Sequence, residues 1–343
     1  METRKIVAII AGIICLFCFV PLHVNPPYNL EGQFQRFVSD FDRPYRYNPE
    51  AYESRFLVFE KSMVRLKTMN ETHWKNPNSA MYGVTNFTDL TPEEFRTNHL
   101  GYRNVENTQN SSTGMPKMES RRADLPKSFD WRLKDFVTGV KNQGACGACW
   151  AYSVLGVVET MAAKSGQKKA EDLSIQQIFD CFDSQYFGCH GGDFVELLQW
   201  IIDEDIPLLR NGLYTKRTGG NCSFDAASGV RVKDFTCRNF VGNEDEMLNL
   251  LAFHGPLVAA INGLTWQNYL GGIIQHHCDG EFSKLNHVVE IVGYNLAHNT
   301  PYYIVRNSWG KGFGENGYLR IAIGKNLCGI AQRVALVDIV DQQ

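Results

Sequence analysis

Gln143-Gly144-Ala145-Cys146-Gly147-Ala148-Cys149-Trp150-Ala151-Tyr152-Ser153 passes from a polar, glycine-punctuated loop directly into an apolar helical pattern. Trp150, Ala151, Leu155, Val158, Met161 and Ala162 recur at helical spacing, and Lys164-Ser165-Gly166 reads as the stop. Cys149 therefore falls at a helix N-terminus, where unpaired N–H groups and the helix dipole favour negative charge. A thiol placed there loses its proton more readily, and the thiolate is the nucleophilic form.

Cys146 and Cys149 by themselves admit two accounts. A Cys-x-x-Cys pair is commonly a disulfide, a metal clip or two small buried residues. The other account makes Cys149 a nucleophile that attacks carbonyl carbon. The chain further on decides between them. Asn286-His287-Val288-Val289 places a histidine 138 residues after Cys149, and Val305-Arg306-Asn307-Ser308-Trp309-Gly310 places an asparagine 158 residues after it. Together with Cys146-Gly147-Ala148-Cys149-Trp150, these runs resemble the signature of the papain-like cysteine proteases (peptidase C1 family), in which His and Asn follow the nucleophile by about 130–150 residues. Asn307 lies slightly beyond that span. Within the family, the run from Trp266 through Tyr269-Leu270-Gly271-Gly272 to His276-His277-Cys278 is most similar to one group of cathepsins.

The rest of the chain suits that resemblance. Its 343 residues can bury a substantial core. With 21% charged residues and a net charge of only −3, it carries no footprint for a polyanion, so no nucleic-acid partner is expected. Arg4-Lys5 precede the apolar run Ile6 to Val20, which Pro21 breaks; this is the pattern of a secretory signal, assigned to residues 1–24. That run is shorter than the roughly 20 residues a spanning helix needs, so stable membrane insertion is not expected. It lacks a clear small-x-small cleavage site, which leaves an uncleaved anchor as the alternative. Asn70, Asn86, Asn110 and Asn221 lie in glycosylation triplets that fit the secretory route. A lysosomal or secreted destination is expected.

Of ten cysteines, Cys15 and Cys18 lie in the signal, and eight remain. With Cys149 as nucleophile, seven are left, and an oxidising compartment pairs six of them. Spacing alone does not fix the connectivity. The resemblance implies Cys146–Cys189, Cys181–Cys222 and Cys278–Cys328, leaving Cys237 free.

Residues 25–123 contain no cysteine. Tyr52, Phe56, Phe59, Met63 and Leu66 draw one apolar stripe along an amphipathic helix. Arg55, Phe59, Leu66 and Asn70 resemble the helix pattern of cathepsin L-type propeptides, whereas Ala51 and Ser62 depart from it. Gly83-Val84-Thr85-Asn86-Phe87-Thr88-Asp89 resembles the second propeptide motif, with Thr85 where Asn is common. Thr91-Pro92-Glu93-Glu94 is a capping box with proline at N1. Residues 101–122 are polar and aperiodic and read as a linker, the kind of segment proteases cut. The resemblance implies that residues 25–123 are an intramolecular inhibitor covering the cleft, removed near Ala123 to Leu125. Acid is expected to promote removal by protonating carboxylates paired across the interface.

Residues 124–343 are the expected mature protease. From about 133 to 237 the pattern is helical, with Ser174 capping one helix and Phe194 to Ile202 forming another. From about 238 to 343 strand-like runs dominate: Leu257 to Ile261, His287 to Gly293, Tyr302 to Val305, Tyr318 to Ile323 and Val334 to Val340. A helical half facing a β half makes an α+β protein with a cleft between. The resemblance specifies a papain-like two-domain fold, with a helical left half and an antiparallel, barrel-like β right half.

Peptide hydrolysis needs a nucleophile, a proton shuttle, a support for that shuttle and an oxyanion site. The resemblance assigns these to Cys149, His287, Asn307 and Gln143, with Cys149 and His287 as a thiolate–imidazolium pair and Trp309 shielding the His–Asn contact. It places Gly191 and Gly192 against the substrate main chain. Phe194, Ala260, Leu285 and Val288 then line the pocket for the second residue before the scissile bond. Arg333 stands at the floor of that pocket, where a small or apolar residue is more usual, and is expected either to admit acidic side chains or to face solvent. Phe313 stands where the family often has Trp. No cofactor and no metal are expected, because the Cys and His spacings fit no standard structural zinc pattern. The expected partners are protein or peptide substrates, the chain's own propeptide and cystatin-type inhibitors, with the protein itself a monomer. The alternative is a papain-like pseudoenzyme that only binds.

Overall fold

The structure is a computed structural model that describes residues 29–104, 125–182, 188–210, 222 and 229–340. The signal segment, the sequons at Asn110 and Asn221, residues 105–122 of the linker and the proposed cleavage point up to residue 124 lie outside the described residues. Among the described residues no helix is long and apolar enough to cross a membrane.

Residues up to Phe56 form one compact unit and those from Leu57 onward a second. In the first, α1 (Leu30–Asp40) is capped by Asn29, whose Oδ1 accepts the Gly32 N–H at 2.8 Å. Phe34 packs against Phe37 and Phe56 and edge-on against Tyr52, so aromatic burial holds this small unit. The long helix α2 (Pro49–Lys75) carries the stripe expected from the sequence, with Phe59 and Leu66 buried.

In the second unit, the chain continues through β1 (Met81–Tyr82) and α3 (Pro92–His99). Asn70 fastens α2 to β1, accepting the Tyr82 N–H at 2.9 Å and donating to the Tyr82 carbonyl at 2.7 Å. The Thr91/Glu94 capping box forms as expected. β1 pairs with β5 (Tyr269–Gly271), and the 83–90 loop is stitched to the same stretch. Thr85 Oγ1 donates to the Gln267 carbonyl, while Gln267 Nε2 donates to the carbonyls of Phe87 and Leu90. Threonine at 85 thus supplies a hydroxyl donor.

The rest of the second unit is built round α4 (Cys149–Ser165). Fifteen of its residues, from Cys149 to Ala163, are buried, as expected of a helix apolar on every side. It packs against β7 (His287–Asn295) and β10 (Val334–Ile339). Ser174 caps α5 (Ile175–Cys181) by accepting the Gln177 N–H, and Asp193 caps α6 (Phe194–Asp203) by accepting the Val195 N–H. α7 (Glu244–Phe253) leads into the sheet. The main sheet runs β3-β10-β4-β7-β8-β9-β6, with β2 (Ser128–Asp130) pairing to β7. Its remaining strands are β3 (Val232–Arg238), β4 (Leu257–Ile261), β6 (Ile273–Ile274), β8 (Tyr302–Arg306) and β9 (Tyr318–Ala322).

Three expectations are corrected. The sheet stays open from β3 to β6, and β6 lies parallel to β9, so the right half is not a closed antiparallel barrel. β3, assigned to the helical half, pairs with β10 along its length, because its short alternating run is completed only by a strand about a hundred residues away. Residues 101–104 are not linker: Tyr102 is buried, and its neighbours bond to the protease backbone. Among the described residues the disulfides are Cys146–Cys189, Cys181–Cys222 and Cys278–Cys328, and the free cysteines are Cys149 and Cys237.

Candidate active site

Cys149 is the first residue of α4, and its N-cap Ala148 has no side chain to satisfy the free N–H groups. The thiol is fully buried against the backbone N–H groups of Val288 and Gly101. Burial pushes it up to about 11, and those N–H groups pull it back down.

His287 opens β7, opposite Ile261 of β4. Antiparallel pairing of β7 with β8 sets Glu290 across from Arg306, so Asn307, the next residue, comes alongside the imidazole. Asn307 Oδ1 lies 2.8 Å from His287 Nε2 and also accepts the Ser308 N–H at 2.8 Å. The Ser308 bond identifies that amide atom as oxygen, so Nε2 is the donor and carries the ring proton. Nδ1 is then a bare acceptor, buried without a hydrogen-bond partner. Trp309 covers the ring at 4.8 Å between centroids, and Trp266 meets it edge-on at 6.2 Å. Burial pushes the imidazole down to about 4; the Asn307 bond opposes this and the nearby His99 adds to it.

Gln143 is fully buried, and each end of its amide is fixed. Oε1 accepts the Ser308 hydroxyl at 2.5 Å, while Nε2 donates to the carbonyls of Cys146 (2.6 Å) and His99 (2.9 Å). A carbonyl oxygen of the propeptide thus stands against the amide that was expected to receive a substrate oxyanion.

The propeptide continues across the cleft. Gly192 N–H donates to the Gly101 carbonyl at 2.8 Å, Arg103 N–H to the Gly192 carbonyl at 3.1 Å, and Tyr102 N–H to the Asn286 carbonyl at 3.0 Å. Gly191 takes φ +100°, and a Cβ there would meet the Gly101 carbonyl oxygen at 2.6 Å, so glycine is required for this approach. Tyr102 packs into one cluster with Phe194, Ala260, Leu285 and Val288. Arg333 is only 6% exposed and reaches the Tyr102 hydroxyl at 2.6 Å, which excludes the solvent-facing alternative. Its charge is already matched by Asp193, at 3.0 Å.

Behind the site a buried charged chain joins the two halves. Arg306 bonds Glu290 (2.9 Å) and Thr138 Oγ1 (2.9 Å), and Thr138 donates to Glu159 (2.6 Å), which also pairs with Lys141.

The structure brings Cys149, His287, Asn307, Gln143 and Trp309 together, and gathers Gly191, Gly192, Phe194, Ala260, Leu285, Val288 and Arg333 round the covering segment. Phe313 packs edge-on against Trp309 at 4.8 Å. Sequence reasoning missed Ser308, Asp193, His99, Gly101 and Tyr102. Asp193 carries the signal of a helix cap before an apolar run. The polar composition around Gly101 and Tyr102 hid their role.

Comparison with known proteins agrees with this geometry. Residues 125–337 match the family model for papain family cysteine proteases, and residues 34–95 match that for the cathepsin propeptide inhibitor domain (I29). The chain is 39% identical to human cathepsin O over 292 residues, 84% of this chain and 89% of that one. It is 32% identical to cysteine proteinase 1 of Dictyostelium discoideum over 325 residues, 90% of this chain and 93% of that one. Among solved structures, digestive procathepsin L2 from the larval midgut of Tenebrio molitor superposes with a TM-score of 0.78 at 28% identity, covering 90% of this chain and 99% of that one. The chain belongs to the papain family of cysteine proteases and carries that family's inhibitory propeptide.

Proposed function

We propose that Cys149, His287, Asn307 and Gln143 carry out peptide hydrolysis once the propeptide is gone. The observation that supports this best is the His287 ring. Asn307 holds its Nε2 proton, and the unpartnered Nδ1 is left for the neighbouring thiol. With residues 99–104 removed, water and substrate reach the site and the burial that favours the neutral pair is relieved. The thiol proton then passes to Nδ1, and the helix N-terminus favours the thiolate. The sulfur attacks the scissile carbonyl carbon. The oxygen takes the negative charge beside Gln143 Nε2 and the Cys149 N–H. His287 returns its proton to the leaving amine, and the C–N bond breaks to give a thioester. A water molecule, deprotonated by His287, attacks that thioester and releases the acid and the thiol.

Residues 1–24 act as the secretory signal, residues 25–123 as the removable inhibitor and residues 124–343 as the mature enzyme, in a lysosomal or secreted setting. Gly191, Gly192 and the Phe194, Ala260, Leu285, Val288 and Arg333 pocket hold the substrate, with Trp309 shielding the His–Asn contact. The mature enzyme is a monomer open to cystatin-type inhibitors.

Covalent labelling by an electrophilic epoxide, with mass mapping, tests the assignment. Matured protein should label at Cys149 and hydrolyse peptides, and Cys149→Ala should do neither while keeping its thermal transition. Retained peptidase activity in Cys149→Ala would falsify it.

A further inference from the structure

Arg333 stands at the end of the pocket that Tyr102 fills. Its guanidinium is held at two points by Asp193, with Nη1 3.0 Å from Oδ2 and Nη2 3.2 Å from Oδ1. Asp193 is itself fixed, because it is buried and caps α6 through the Val195 N–H at 2.8 Å. The two charges cancel, and neither can swing away. Nη1 still donates to the Tyr102 hydroxyl at 2.6 Å, and it also contacts Asn104 Oδ1. The guanidinium carbon lies 5.8 Å from the Tyr102 ring centre and 5.5 Å from that of Phe194, and the two rings are 6.0 Å apart. Arg333 also bonds the Cys237 side chain, and the pocket is an aromatic slot closed by this guanidinium.

We infer that Arg333, clamped by Asp193, makes this pocket select tyrosine as the second residue before the scissile bond, ahead of phenylalanine and ahead of glutamate or aspartate. This rests on the pocket assignment given under the proposed function. Tyr102 shows the chemistry that fits. Burial and the Asp193 carboxylate raise its phenol, so it stays neutral and offers an acceptor without adding charge. Phenylalanine fills the slot but forgoes the hydroxyl bond that Tyr102 makes with Nη1, and a site built for a hydroxyl discriminates against the analogue lacking one. A glutamate would bring a second carboxylate beside Asp193 on a single guanidinium, and like charges in one site disfavour ionisation. The alternative that Arg333 admits acidic side chains, expected from the sequence, meets the Asp193 carboxylate already on that guanidinium.

The experiment uses the full chain matured with pepsin at acid pH and a fluorogenic peptide set differing only at the second residue before the cleaved bond: Tyr, Phe, Leu and Glu. The kcat/KM for Tyr should exceed that for Phe by about tenfold, the size of one charge-assisted hydrogen bond, and exceed that for Glu by more. In Arg333→Gln/Asp193→Asn, which keeps a neutral polar pair and a cap-competent residue at 193, the Tyr to Phe ratio should fall to about one. A ratio read within one preparation does not depend on the fraction folded. A Tyr to Phe ratio near one in the unaltered enzyme, faster turnover of Glu than Tyr, or an unchanged ratio in the double variant would overturn the inference alone. Equal turnover of all four peptides would overturn the pocket assignment with it. Failure to turn over any member of the set would overturn the protease reading as well.

Discussion

Gly101, on the segment covering the cleft, lies so close to Gly147 that a Cβ built on it would fall 1.9 Å from the Gly147 carbonyl oxygen. Contacts of that length do not occur, and the atoms involved are backbone on both sides. Only glycine lets the covering chain lie flat enough for its N–H to reach the Cys149 sulfur.

Gly101→Ala should therefore unseat the propeptide without touching the protease. Overpacking costs about 1–3 kcal/mol, and every 1.4 kcal/mol is tenfold in an equilibrium. The uncleaved Gly101→Ala chain should label at Cys149 with an epoxide about 10–100 times faster than the unaltered precursor at pH 6.5. Equal rates would mean that the segment rides over Gly147 in another way.

His99 gives the precursor a pH dependence of definite sign. Its ring packs against Phe87 at 4.7 Å and Phe95 at 5.5 Å, and Nδ1 donates to the Gly144 carbonyl at 3.1 Å. Burial pushes its pKa down from 6.5 to about 4, opposed by the Gly144 bond. The undocked segment therefore binds more protons than the docked one between those values. Docking is fully stable above about pH 6.5 and weakens as pH falls towards 4, by about 2 kcal/mol at pH 5. Processing of the precursor should accelerate over that window, and His99→Leu should remove about half of the acceleration, because His287, pushed down to about 4 by burial under the same segment, titrates over it too. An acid dependence unchanged in His99→Leu would hand the role back to the carboxylates expected from the sequence.

Gln143→Ala removes one donor from the developing oxyanion, so kcat should fall roughly 10²–10³-fold. Ser308 touches no reacting atom, but its hydroxyl fixes Gln143 Oε1 at 2.5 Å. Ser308→Ala should act as a positioning change, lowering kcat by about tenfold with KM nearly unchanged. A larger loss at 308 than at 143 would reverse the order of the two roles.

What the sequence disclosed and what it hid follow from range. Cys149, His287, Asn307 and Gln143 stand in local motifs, and local strand signals placed β4, β7, β8, β9 and β10 within a residue or two. β3 was misplaced because its seven residues become a strand only through β10. The segment 101–104 reads as linker because its polar composition carries no periodicity; it is ordered by backbone bonds to Gly192 and Asn286, which composition does not record. Arg333 was legible as an anomaly, yet its meaning depends on Asp193, 140 residues earlier, whose visible signal was that of a helix cap.

The pair Glu290–Arg306 offers the strongest stability prediction. Both side chains are buried and bond at 2.9 Å, and Gly156 of α4 makes room for them, since a Cβ there would meet Glu290 Oε2 at 2.6 Å. Burial raises the Glu290 carboxyl, and Arg306 is the main influence pulling it back. Arg306→Met would strip that partner away and leave a buried carboxylate, costing about 3–5 kcal/mol. At about 2–4 °C per kcal/mol for a domain of this size, the transition of the matured enzyme should fall by roughly 10 °C. Removing both charges in Arg306→Met/Glu290→Leu leaves no uncompensated ion, so most of that loss should be recovered. A double variant no more stable than Arg306→Met would show that the bonds of Arg306 to Thr138 and Gly139, and not its pairing with Glu290, hold the two halves together.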